Sequence, residues 1–195
     1  MVFRARARQL LARFFEEPGV RALHFLKLSP NAVTLLGLVL TLGVTYLAAR
    51  GAFLYAGLLF LVASALDMLD GALARLTGKV TRFGAALDSV TDRLSEALLL
   101  LGLVLFYLDQ GNDTGVILAF VAVVASYMVS YLRSRGEGLG IVMKETGLGT
   151  RTERVIVMVV GLLTGWVLAA LWVVAVLSVL TSGQRLYHLW RMARD

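Results

Sequence analysis

Long apolar runs, most of them separated by short turns and the last by a charged stretch, constrain this chain more than any other feature. They cover residues 31–49, 53–76, 84–108, about 113–131 and 155–180. A helix needs about 20 predominantly apolar residues to cross a bilayer. Apolar residues make up 58% of the 195 and charged ones 16%, where a soluble domain carries about a quarter charged. The fold class is therefore an all-α membrane protein. The length allows about six spans of roughly 20 residues, with little left for a separate soluble domain. The absence of cysteine excludes a disulfide, a thiolate metal site and a thiol nucleophile. His24 and His188 lie outside the apolar runs, which argues against a histidine zinc site. The net charge of +6 fits cytoplasmic loops and anionic headgroups rather than nucleic acid.

The expected elements follow in order. Residues 3–17 place Ala7, Leu10, Leu11, Phe14 and Phe15 on one helical stripe flanked by arginines, the pattern of an amphipathic helix on an anionic leaflet. Pro18 and Gly19 are expected to end it, so residues 1–28 form a juxtamembrane segment and residues 29–195 a six-helix transmembrane domain. Arg4, Arg6, Arg8 and Arg13 interrupt any signal-peptide core. Ser29 is placed to cap the first span, with Pro30 at its first position. Thr164-Gly165-Trp166 is expected to break the last apolar run, so that a sixth helix starts near residue 167; one long tilted helix is the rival. With the N-terminus inside, only Arg50 of the nineteen lysines and arginines falls on the outer side, as the positive-inside rule requires.

Against this background, residues 67–92 read Asp67-x-x-Asp70-Gly71-x-x-Ala74-Arg75, eight residues, then Gly84-x-x-x-Asp88-x-x-x-Asp92. Acids inside apolar spans are costly and mark function. Asp67 and Asp70 share one helical face, as do Asp88 and Asp92, and a short turn brings the pairs face to face. Four converging carboxylates call for a divalent cation. Oxygen-only ligands favour Mg²⁺, with Mn²⁺ as substitute. Gly71, Ala74 and Gly84 leave room for approach, and Arg75 and Arg82 are suited to phosphate oxygens. Asp67 lies about fourteen residues into its span, which puts the cluster at a shallow level open to the cytoplasm.

At every position residues 67–92 resemble the signature of the CDP-alcohol phosphatidyltransferase family. The resemblance implies six helices with a juxtamembrane N-terminal helix, a homodimer, and transfer of a phosphatidyl-type group from a CDP-linked lipid to an alcohol with release of CMP. It implies that Asp67, Asp70 and Asp88 are metal ligands, and that Asp92 is the catalytic base and also touches a metal. Gly71, Ala74 and Arg75 would line the cytidine diphosphate site, which Asp67 borders. Asn31 and Thr34 resemble the family's Pro-Asn-x-x-Thr entry to the first span. The protein would then be multi-pass in the cell's inner (plasma) membrane.

A second cationic stretch bears on the acceptor. Arg133, Arg135, Lys144, Arg151 and Arg154 end two spans on the cytoplasmic side. A neutral alcohol does not call for such a set, whereas guanidinium forks match a phosphate. The spacing resembles phosphatidylinositol-phosphate synthases and their archaetidyl relatives, implying inositol phosphate as acceptor. Phosphatidylglycerol-phosphate synthases, which use glycerol phosphate, are the alternative. The stretch departs from that subgroup at Thr150, where an acid is expected, and at Gly136, where alanine is common. Glu96 continues the Asp88–Asp92 face and is expected to pair with an arginine. A cation- or proton-coupled transporter is the reading from another class, but it calls for acids near the midplane rather than at one face.

Overall fold

The computed structural model describes residues 17–143 and 146–193. Among them it contains seven helices and no strand: α1 (Glu17–Phe25), α2 (Pro30–Ala49), α3 (Phe53–Leu76), α4 (Arg82–Asp109), α5 (Asp113–Gly138), α6 (Arg151–Thr164) and α7 (Val167–Met192). The expected amphipathic helix over residues 3–17 lies, except for Glu17, outside the described residues, as does Lys144.

Punctuation in the sequence sets most boundaries. Ser29 Oγ accepts a hydrogen bond from Ala32 N (3.2 Å), and Pro30 opens α2. Gly165, at φ 78°, occupies the left-handed conformation that favours glycine and separates α6 from α7, excluding one long helix. One boundary differs from expectation. Pro18 and Gly19 lie in the first turn of α1, and the helix they are expected to end lies outside the described residues except for Glu17. A proline there forfeits only an N–H that has no intrahelical acceptor. At Gly19 a Cβ would come within 2.8 Å of Leu69 Cδ1, so glycine admits the close approach of α1 to α3. α5 continues past residue 131 to Gly138, which places Arg133 and Arg135 within its last turns.

Four of the described helices are long and apolar enough to cross a membrane: α2, α3, α5 and α7. The other two expected spans are different in kind. α4 carries Asp88, Asp92, Arg93 and Glu96, and α6 has only 14 residues, about 21 Å of helix against a hydrocarbon core of about 30 Å. The long helices expose large apolar stripes, such as Leu35, Val39, Leu42 and Tyr46 on α2 and Trp172, Val176 and Val179 on α7. Water would oppose so much exposed apolar surface, and acyl chains accommodate it. This is a membrane protein.

Contacts divide the described residues into two units, one of residues 17–41 and 61–95, the other of residues 42–60 and those described from 96 onward. In the first, Val20 and Leu23 of α1 pack with Val33 of α2 and with Leu69 and Leu73 of α3. Leu69 directly precedes Asp70, so α1 braces the turn of α3 that carries the acids. In the second, Leu99 and Leu103 of α4 join Ala119 and Ala122 of α5, Met158 and Leu162 of α6, and Leu171 and Val174 of α7. Lipid supplies no hydrophobic drive for helices to associate, so close packing of small residues and buried polar contacts carry more of the work. A Cβ on Gly102 would lie 2.6 Å from the Thr45 carbonyl oxygen, and the hydroxyls of Ser126 and Ser178 meet at 3.4 Å.

Candidate active site

The turn between α3 and α4 is what assembles the aspartates. α3 closes in a Schellman motif: Lys79 N donates to Ala74 O (2.9 Å) and Gly78 N to Arg75 O (3.4 Å), with Gly78 at φ 65°. Thr81 then caps α4, its Oγ1 accepting from Gly84 N at 2.9 Å. The chain reverses, and carboxylate oxygens of Asp67, Asp70 and Asp88 come within 4.8 Å of one another. Asp70 is buried, and it accepts a hydrogen bond from the Thr34 hydroxyl of α2, itself buried. Asp92 lies one turn beyond Asp88 on α4, half-buried, and is not part of that trio.

Beside the trio is a cavity of about 280 Å³. Asn31, Thr34, Asp70, Gly71, Ala74, Arg75 and Asp88, all singled out from the sequence, line it. Lys79 lines it too; its position in the reversing turn was the available signal, masked by its role in the positive-inside pattern. Arg82 does not line it and stands exposed at the first position of α4. Gly71 is not demanded by the protein's own packing. The nearest heavy atom to a Cβ there would be Arg75 Nη1, at 3.5 Å, so the missing side chain leaves open space at the cavity. Gly84 is tighter, with Thr81 Oγ1 at 3.0 Å and Asn31 Oδ1 at 3.2 Å from a Cβ. Three carboxylates around one point, with oxygen as the sole donor type, fit a hard divalent cation. The adjoining cations fit a phosphate.

Of the second cationic stretch, the structure brings part together. Arg154 is 2% exposed, and its Nε and Nη2 donate to the two carboxylate oxygens of Glu96 at 2.6 and 2.8 Å. Its Nη1 donates to Gly149 O at 2.9 Å. Glu96 thus pairs with an arginine, as expected. Arg133 pairs with Glu137 one turn along α5 (2.9 Å). Arg185 was counted from the sequence only as a cytoplasmic charge, yet it is 3% exposed and donates to Thr146 O (2.9 Å) and Val129 O (2.6 Å). It lies within electrostatic reach of Arg133, Arg154 and Glu137. A charge flanked by the apolar body of α7, one turn after Thr181, was its only sequence signal. Arg135 is exposed on α5, and Arg151 is half-buried at the first position of α6. Thr150 stands at the N-cap position of α6 without a side-chain bond to the helix backbone, and its hydroxyl donates to the Glu153 carboxylate.

Helices that expose lipid-facing stripes, and a trio of carboxylates beside a cation-lined cavity, define a membrane-embedded enzyme of phosphate chemistry. The chain belongs to the CDP-alcohol phosphatidyltransferase family, whose model matches residues 27–182, and it is a transferase. It is 40% identical over 168 residues to an archaetidylinositol phosphate synthase of Pyrococcus horikoshii, covering 86% of this chain and 87% of that one. It is 38% identical over 185 residues to a phosphatidylinositol phosphate synthase of Corynebacterium glutamicum, covering 90% and 84%. Its fold is similar to the Mycobacterium tuberculosis phosphatidylinositol phosphate synthase crystallised with manganese and citrate (TM-score 0.81, 31% identity, 89% and 88% covered). The same holds for that enzyme with CDP-DAG bound (TM-score 0.81, 31% identity, 92% and 94% covered).

Proposed function

We propose that the protein moves a phosphatidyl-type group from CDP-diacylglycerol, or an ether-lipid analogue, to inositol phosphate and releases CMP. The observation that carries the acceptor is the buried arginine pair Arg154 and Arg185 with Arg133 near them, since buried guanidinium forks suit a phosphate. The names of the relatives point the same way.

Asp67, Asp70 and Asp88 hold the cation, Mg²⁺ with Mn²⁺ as substitute. Bound there, it supplies neutralisation of charge on the diphosphate. Arg75 and Lys79 add positive charge at the same phosphates, Gly71 allows close approach, and Asn31, Thr34 and Ala74 shape the nucleotide end. Asp92 is the base. It takes the proton of the acceptor hydroxyl as that oxygen bonds to the lipid-side phosphorus, while the bond from that phosphorus to the CMP oxygen breaks. Arg133, Arg135, Lys144, Arg151 and Arg154, with Arg185, form the acceptor-phosphate set.

Six crossings complete the reading, with α4 and α6 added to the four apolar helices. Residues 1–28 lie along the membrane surface and residues 29–195 form the catalytic domain. The protein is a homodimer of the inner (plasma) membrane with its active site toward the cytoplasm, an orientation supported by the one-sided lysines and arginines. The test is CMP release by purified protein with CDP-diacylglycerol and Mg²⁺, across inositol phosphate, glycerol phosphate, inositol and serine. Turnover with inositol phosphate alone is expected. Turnover with glycerol phosphate instead makes the protein a phosphatidylglycerol-phosphate synthase.

A further inference from the structure

The buried pair Glu96–Arg154 is more than a neutralised charge. A guanidinium has five N–H groups. In Arg154 one on each nitrogen is already engaged, two with Glu96 and one with Gly149 O, which leaves one N–H on each terminal nitrogen. The orientation of those two is fixed by the bonds that the guanidinium already makes. The segment that Arg154 holds through Gly149 is tied at three further points to α7. Gly149 N donates to Thr181 Oγ1 (2.8 Å), Leu148 N to Gln184 Oε1 (3.2 Å), and Arg185 Nε to Thr146 O (2.9 Å). One connected set of bonds therefore runs from Glu96 through Arg154 and residues 146–149 to Arg185.

We propose that Glu96 is a positioning residue for the acceptor's phosphate: by gripping Arg154 side-on, it fixes the orientation of that guanidinium and, through Gly149, the backbone that seats Arg185. The inference rests on the reading that the acceptor is phosphorylated. A purely structural role explains less, because a buried ion pair gives little stability that packed apolar residues would not give. Carboxylates that orient a binding group act on its affinity for ligand.

The experiment measures CMP release by purified wild-type, Glu96→Gln and Glu96→Asp proteins, with inositol phosphate varied at saturating CDP-diacylglycerol and then the reverse. Glu96→Gln is expected to raise the KM for inositol phosphate at least tenfold, with kcat and the KM for CDP-diacylglycerol within about threefold of wild type. Glu96→Asp, which keeps the charge, is expected to recover part of the loss. An unchanged acceptor KM in Glu96→Gln overturns the proposal. So does a fall in kcat and a rise in both KM values in step with lower thermal stability. Should Glu96→Gln not fold, Glu96→Asp decides: a raised acceptor KM with the KM for CDP-diacylglycerol unchanged supports the proposal, and an unchanged acceptor KM or a failure to fold overturns it. Wild-type turnover with inositol but not inositol phosphate removes the phosphorylated-acceptor reading itself, a separate result from any of these.

Discussion

Replacing Thr34 with valine removes one hydroxyl and almost no volume, and it acts on the buried acid of the carboxylate trio. The Thr34 hydroxyl donates to Asp70 Oδ2, and the two residues are 6% and 4% exposed, so water does not readily replace the lost donor. A hydrogen bond to a charged group contributes about 1.5–3 kcal/mol, and each 1.4 kcal/mol is about tenfold in an equilibrium constant. Losing the partner that orients a metal-binding carboxylate lowers metal affinity about 10- to 100-fold, which agrees with that range. The Thr34→Val enzyme is therefore expected to need about 10–100 times more Mn²⁺ for half-maximal CMP release. At saturating Mn²⁺ its kcat should return to within about threefold of wild type, because the acids themselves are intact. Binding of Mn²⁺ followed by electron paramagnetic resonance, without substrates, should show the same shift. An unchanged Mn²⁺ requirement would refute the role given to Thr34. A raised KM for CDP-diacylglycerol that persists at saturating metal would instead make the hydroxyl a nucleotide contact.

Three further outcomes follow from the site. Asp92→Asn should lower turnover about 10²–10⁴-fold, while equilibrium dialysis finds Mn²⁺ and CDP binding close to wild type, since Asp92 is outside the trio. Gly71→Ala should leave the thermal unfolding temperature in detergent nearly unchanged, as a Cβ there meets nothing closer than 3.5 Å, yet raise the KM for CDP-diacylglycerol about tenfold by entering the cavity. Arg185→Lys keeps the charge but not the fork that spans Thr146 O and Val129 O; the KM for inositol phosphate should rise about tenfold with the lipid KM unaffected.

Local rules sufficed for much of this molecule. The bounds of α3 coincide with the apolar run at residues 53–76, and α2 begins at Pro30, its expected first position, because Ser29, Pro30 and the glycines after each run act on the backbone within a turn of where they stand. Three of the four acids converge because i,i+3 spacing and a reversing turn are properties of a short stretch. Gly19 shows where such rules stop: its close approach to Leu69, 50 residues on, is a matter of packing. Of the expected spans, α4 does not qualify by apolarity because charges are spread along its first half, and α6 does not qualify because it has 14 residues.

What the sequence by itself determined was the class of protein, the acidic motif with its family, and most helix bounds, all written in neighbours close along the chain. Only the tertiary structure decided that Thr34 serves Asp70, that Lys79 faces the cavity, that Glu96 takes Arg154, and that Arg185 is buried beside it. Those pairings join residues up to 58 positions apart. They depend on how each helix is rotated about its axis and what packs against it, and no pattern of spacing within one helix contains that rotation.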